Sequence, residues 1–187
     1  MFEHNIFDYD VYIIYKSNDM KKTWLTIKKF NFYDLKRDGI PKLNKRNFKS
    51  SPWIIDIIKR NNFNLKKYNL PMSLVKIKVK SLGIRTPVEL KKIYFKAKKK
   101  GLKLVPPEVA IYSRLLIHKQ KKGEWIRFAT PHNSMIDSDG VPHLPKIGKA
   151  LGTFFLETYW SYPKAIFHPK NEFIFLKNEN FKKTKNK

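Results

Sequence analysis

The chain has 187 residues, 42 % of them apolar, enough for one domain, or one domain with an extension, to build a core. It has no cysteine, which removes disulfides, thiolate metal sites and thiol nucleophiles, and no run of apolar residues long enough to cross a membrane as a helix. The formal net charge is +25, and a chain so charged attracts polyanions.

The first ten residues carry Glu3, Asp8 and Asp10 and lack the basic-then-apolar order of a secretory signal, so a cytoplasmic location is expected. Tyr9 to Lys16 is rich in β-branched and aromatic residues. Ser17-Asn18-Asp19 is turn chemistry, and Thr23 to Ile27 reads as a second strand, which together predict an N-terminal β-hairpin. Residues 28–50 hold eight Lys or Arg against Asp34 and Asp38, with Phe30, Phe32, Tyr33 and Phe48 interleaved. Basic residues among rings can track a single nucleic-acid strand. The stretch has no periodicity, however, and the expectation is a surface loop that pins its rings to the core. Ser51 and Pro52 suit the cap and first position of a short helix, with Trp53, Ile54, Ile57 and Ile58 on one face and an end near Asn61-Asn62.

In Val75 to Lys80, Val75, Ile77 and Val79 alternate with Lys76, Lys78 and Lys80. The lysines would either face phosphates or guard an edge strand against aggregation. Thr86-Pro87-Val88-Glu89 has the form of a capping box, opening a helix that Gly101 ends. Leu90, Ile93, Tyr94 and Ala97 make its buried stripe, and Leu102 can fold back on the last turn. Its other face carries Lys91, Lys92, Lys96, Lys98, Lys99 and Lys100; residues 90–103 contain seven lysines and no acid, the steepest local charge in the chain. Helix and strand lysines could form one continuous basic face.

Pro106-Pro107-Glu108 starts a second helix, or a helix running into a strand, through Ile117; Lys121-Lys122-Gly123 is a turn. Glu124–Ala129, Leu151–Tyr159 and Glu172–Leu176 read as strands of an antiparallel sheet, with a turn at Ser138-Asp139-Gly140. Residues 177–187 form a basic tail expected to be disordered. The predicted organisation is an N-terminal part over 1–70, a core over 71–176 and the tail. The fold class is α+β: two or three helices packed on an antiparallel sheet, with the hairpin as an extension.

The punctuation of the C-terminal half resembles a poorly characterised family of small bacterial proteins. The resemblance rests on Leu82-Gly83, Thr86, Glu89-Leu90, Ala97, Gly101-Leu102, Pro106 to Glu108, Arg114-Leu115, Gly123-Glu124-Trp125 and Asp139-Gly140. These are caps, turns and core positions, so it implies a shared fold and no activity. Members sometimes carry a helicase-like description, but this chain has no G-x-x-x-x-G-K-[ST] loop to drive a motor.

Catalysis has little to draw on. None of His4, His118, His132, His143 and His168 pairs with another at helical spacing. His132, His143 and His168 with Asp137 and Asp139 would need three loops to converge, and Glu124 with Asp137 and Asp139 is the one carboxylate set a metal-dependent nuclease could use. Asp139 is accounted for by its turn and Glu108 by a helix start. No nucleophile elbow or dinucleotide fingerprint occurs, and no cofactor or metal is implied.

The expected function is therefore non-enzymatic binding of RNA or DNA backbone, or of a ribonucleoprotein. The carriers are Lys91, Lys92, Lys98, Lys99 and Lys100, assisted by Lys76, Lys78 and Lys80. With only six arginines, little base reading is expected. The alternative is a protein-interaction or structural module whose lysines follow AT-rich codon usage and only solvate it. Exposed rings such as Trp160 or Tyr162 would then meet the partner.

Overall fold

A computed structural model of the chain describes residues 22–45, 48–117 and 119–178. In chain order the elements are β1 (Leu25–Ile27), a π-helical turn (Leu35–Gly39) running into α1 (Ile40–Leu43), β2 (Phe48–Ser50), α2 (Pro52–Arg60), β3 (Met72–Lys78) and β4 (Val88–Glu89). There follow α3 (Leu90–Lys99), β5 (Leu102–Lys103), α4 (Pro107–Leu116), β6 (Trp125–Phe128), β7 (His143–Ala150), β8 (Thr153–Trp160), β9 (Ile166–Phe167) and β10 (Glu172–Lys177). No helix among the described residues is long and apolar enough to cross a membrane.

The main sheet runs β1-β3-β10-β6-β7-β8-β2, with β5 on the end of β10, and β4 pairs β9 apart from it. The fold is α+β, with helices packed against a curled sheet. The sheet is mixed, which corrects the antiparallel expectation: β10 runs parallel to β6, and β2 parallel to β8. A strand entering beside one distant in sequence is not tied to hairpin geometry, so either direction is open to it.

Apolar side chains on both faces of the sheet explain its two layers of cover. On one face Leu74, Ile126, Phe128, Ile147, Leu156 and Ile174 meet α2 and α4 in one cluster. On the other, Val75, Ile77, Phe173 and Phe175 meet the Leu90, Ile93, Tyr94 and Ala97 stripe of α3. β3 and β10 are thus covered on both sides. α4 explains its own depth, because every residue from Pro107 to Arg114 is buried.

Several expectations need correction. The first strand of the expected hairpin, Tyr9 to Lys16, lies outside the described residues; the second, β1, is no separate extension but the edge strand of the main sheet, paired with β3, Leu25 opposite Leu74. Residues 28–50 are more than a loop: they contain the π-helical turn, α1 and β2, and they bury Phe30, Phe32, Leu35 and Leu43. β3 is no edge strand, lying between β1 and β10. Val79 and Lys80 have left it for a 3-10 turn, Val79–Leu82. Lys177 belongs to β10, not to a tail, and residues 179–187 lie outside the described ones.

β7 is an element that sequence patterning missed, because Pro145 and Gly148 interrupt it. Its hairpin with β8 turns on Leu151 and Gly152 at φ 46° and 74°, positive at both positions as a type I′ turn requires.

The helix starts divide in an instructive way. Ser51 caps α2 as expected, its Oγ accepting from the Ile54 N–H at 3.3 Å. The capping box at Thr86 does not form. Val88 and Glu89 pair instead with Phe167 and Ile166, and α3 begins only at Leu90. Its first free N–H groups donate to backbone carbonyls of the 163–165 segment, Leu90 to Ala165 at 2.9 Å and Lys91 to Pro163 at 3.0 Å. Ser51→Ala is accordingly expected to lower unfolding free energy by about 1 kcal/mol in urea titration, and Thr86→Ala by less than about 0.5 kcal/mol. Equal losses would show that the Thr86 cap forms in solution.

Candidate nucleic-acid interface

The α3 lysines stand where the helical period puts them. Lys91, Lys92, Lys96, Lys98, Lys99 and Lys100 are all exposed, opposite the buried stripe. Gly101, at φ 76°, lets the chain reverse behind them. Lys91 Nζ lies 3.0 Å from Glu89. The other five have no carboxylate partner among the described residues. Among them stands Phe95, 56 % exposed, with Lys99 Nζ 4.5 Å from its ring centre. Phe95 lies off the apolar stripe, and nothing in the core uses it.

The strand lysines do not join that surface. Lys76 is half-buried, with Nζ 2.6 Å from Glu124 and 3.7 Å from Glu172, so its charge is already met. Lys78 and Lys80 are exposed. Alternation along β3 puts Lys76 and Lys78 on the side of Leu74, whereas α3 covers Val75 and Ile77. Lys76 and Lys78 therefore look out from the side of the sheet opposite α3, while Lys80 sits in the 3-10 turn, whose Val79 and Leu82 pack with the α3 stripe.

A second group of cations and rings lies on the α3 side, and sequence reading missed it. Cross-strand register places Trp125, Gly148 and Phe155 in one row and Arg127, Lys146 and Glu157 in the next, with Arg127 beside Phe173 of the α3-facing cluster. α2 and α4 pack on the other face; on this one Phe167 of β9 lies against Tyr159, ring centres 5.2 Å apart, and its ring centre is 5.5 Å from the Arg127 guanidinium. Trp125 and Phe155 centroids are 5.8 Å apart. Lys146 Nζ lies 4.7 Å from the Trp125 ring centre, and the Arg127 guanidinium 4.9 Å from that of Tyr159.

Electrostatics on this patch is unbalanced. Burial, and then the guanidinium of Arg127 opposite, hold the Lys146 ammonium below the ordinary lysine range. Burial lowers Arg127 as well and raises the Glu157 carboxyl. Arg127 Nε is buried without a hydrogen-bond partner. The sequence signal was the alternation Trp125, Arg127 in β6 and Phe155, Glu157, Tyr159 in β8. It becomes a surface only once β7 is known to lie between them.

His132, His143 and His168 do not converge. His132 Nδ1 lies 2.7 Å from the Ser161 carbonyl and its ring stacks on Tyr94 at 4.9 Å. His168 closes a turn with Lys170 and Asn171. His143 alone meets an aspartate, its Nε2 2.8 Å from Asp137 Oδ2. Glu124 is taken up by Lys76. Among the described residues no three His, Asp or Glu side chains are gathered as metal ligands. His4 and His118 lie outside the described residues. A shallow apolar cleft of about 250 Å³ lies between Trp53 and Trp160, over His143. Trp53 is 51 % exposed rather than part of the buried face of α2.

No family model matches the chain, and no curated protein or solved structure does either.

Proposed function

We propose that the protein binds nucleic acid non-enzymatically, through the phosphate backbone and with little base specificity, using the outer face of α3. The reading is carried by one observation. Lys92, Lys96, Lys98 and Lys99 on one short helix, with Lys100 at its C-cap, stand exposed with no carboxylate to answer them among the described residues. Like charges so close repel one another, and a polyanion relieves that repulsion while releasing its own counterions. Lys91, tied to Glu89, contributes less, and Lys76 contributes nothing while Glu124 and Glu172 hold it. Lys78 serves a separate surface.

The test is fluorescence anisotropy with labelled RNA and DNA across a salt series, with heparin and an acidic protein as controls. Reversing Lys92, Lys96, Lys98 and Lys99 to Glu is expected to weaken binding at least about 100-fold at low salt and to flatten the slope of log K against log salt by about 0.7 for each phosphate that is no longer neutralised. The loss should be the same for all base sequences. Binding that ignores salt, or that survives the fourfold reversal, overturns the proposal. A protein-docking role would draw instead on Trp53 and Trp160, 51 % and 62 % exposed, and would show salt-insensitive capture.

A further inference from the structure

We infer that the open half of the α3-side sheet face is a stacking platform for unpaired bases, so that the nucleic acid bound is single-stranded. This rests on the reading of α3 as a backbone-binding face and specifies the ligand of that surface.

Trp125 lies flat against the sheet over Gly148. A methyl group at position 148 would come within 2.3 Å of Trp125 Cε3 and 2.4 Å of Cζ3, so only glycine allows the ring to settle there. Trp125 is partly exposed, and the Lys146 ammonium, 4.7 Å from its ring centre, is the group a stacking base would displace. Phe155 continues the same row, and the exposed Lys49 of β2 stands beside Phe155 in register. The row thus reads ring, glycine, ring, ammonium.

The next row points to an anion. Arg127 and Lys146 are direct cross-strand partners, and like charges so placed destabilise a sheet. Glu157 answers them only from the far side of Lys146. Arg127 also keeps a buried Nε without a partner. Rings that accept base faces and cations short of counter-charge together match a strand whose bases are free to splay. A duplex keeps its bases stacked inside and could use only the cations.

The experiment uses the full chain with fluorescein-labelled rU12, dT12 and a 12-base-pair duplex. Phe155→Ala and Gly148→Ala, the second of which lifts Trp125 off the sheet, are each expected to raise Kd for the single strands about tenfold or more and to leave the duplex within about twofold. Either sugar supports the platform, and a preference between rU12 and dT12 shows which strand supplies the bases. Photocrosslinking of unmodified protein to a 5-iodouridine oligonucleotide needs no variant to fold, and its adducts should map to Trp125, Phe155 or Tyr159. Salt-steep binding that is equal for single strand and duplex, with adducts confined to Phe95, overturns the platform and leaves the α3 proposal standing. Absence of binding to every nucleic acid overturns both.

Discussion

Replacing Arg114 with alanine is expected to lower the unfolding free energy by about 4 kcal/mol, among the largest effects of any single substitution in this chain. Arg114 is fully buried at the end of α4. Its Nη1 donates to Gln120 Oε1 at 2.7 Å and its Nη2 to the Ile117 carbonyl. The guanidinium lies 4.8 Å from the Phe154 ring centre and 5.9 Å from that of Phe48. Alanine would open a cavity between two phenyl rings and strand two acceptors.

No carboxylate reaches Arg114 among the described residues, so its charge is itself costly to bury. Burial pushes its pKa down to about 10. The folded state therefore binds fewer protons than the unfolded state between that value and the ordinary arginine range. The cost of burying the charge is full below pH 10 and is relieved as pH rises through that window. Arg114→Met keeps most of the volume without the charge and should recover half or more of the alanine loss. Equal losses in the two variants, measured by denaturant unfolding at neutral pH, would mean that the hydrogen bonds to Gln120 and Ile117 outweigh the packing.

Asp137→Ala should cost about 3 kcal/mol, by loss of three hydrogen bonds and abandonment of a buried histidine. Asp137 Oδ1 accepts from the N–H of Val141 at 2.8 Å and of Asp139 at 3.0 Å, closing the turn before β7. Oδ2 lies 2.8 Å from His143 Nε2, and His143 Nδ1 already lacks a partner. The hydrogen bond from His143, and after it the two backbone N–H groups, hold the Asp137 carboxyl below the ordinary aspartate range. A carboxyl so lowered stabilises the fold above its unfolded pKa, and that contribution fades as pH falls through its folded value. The difference in stability between wild type and variant should therefore narrow below about pH 4. A gap that stays constant down to about pH 2 would show that the carboxylate charge is not what the turn uses.

How much of this could be read beforehand depends on the range of the interactions concerned. The Ser51 cap, the α3 stripe and the Gly101 stop are settled within a few residues, and all three stand as patterning predicts. The Thr86 capping box is equally local, but it lost to a tertiary pairing: Val88 and Glu89 hydrogen-bond to β9, nearly eighty residues on. The lysines of β3 were visible as an alternation. That Lys76 is neutralised depends on Glu124 and Glu172, which only the sheet brings near.

The platform was the hardest to foresee. Trp125 and Phe155 each look like ordinary core residues in their own strands. They become neighbours because Gly148, a weak strand former by propensity, is the gap that lets the indole lie down. The three histidine loops fail to meet because each is already engaged elsewhere, His143 with Asp137, His132 with Ser161 and Tyr94, and His168 in the 168–171 turn.

β10 comes last among the described strands, yet it lies between β3 and β6. While a ribosome is still making the chain, those two strands keep raw inner edges, and the phenyl groups that will fill the α3 side, Phe173 and Phe175, do not yet exist. The half-sheets before and after that gap can form hairpins and turns but cannot close. Completion waits for residues 172–177 to slide between them, one side parallel and the other antiparallel. Such long-range closure is slow, and until residues 172–177 are in place the facing edges of β3 and β6 stay open to edge-to-edge association. A dense lysine surface, whatever else it binds, also keeps those unfinished chains apart by mutual repulsion.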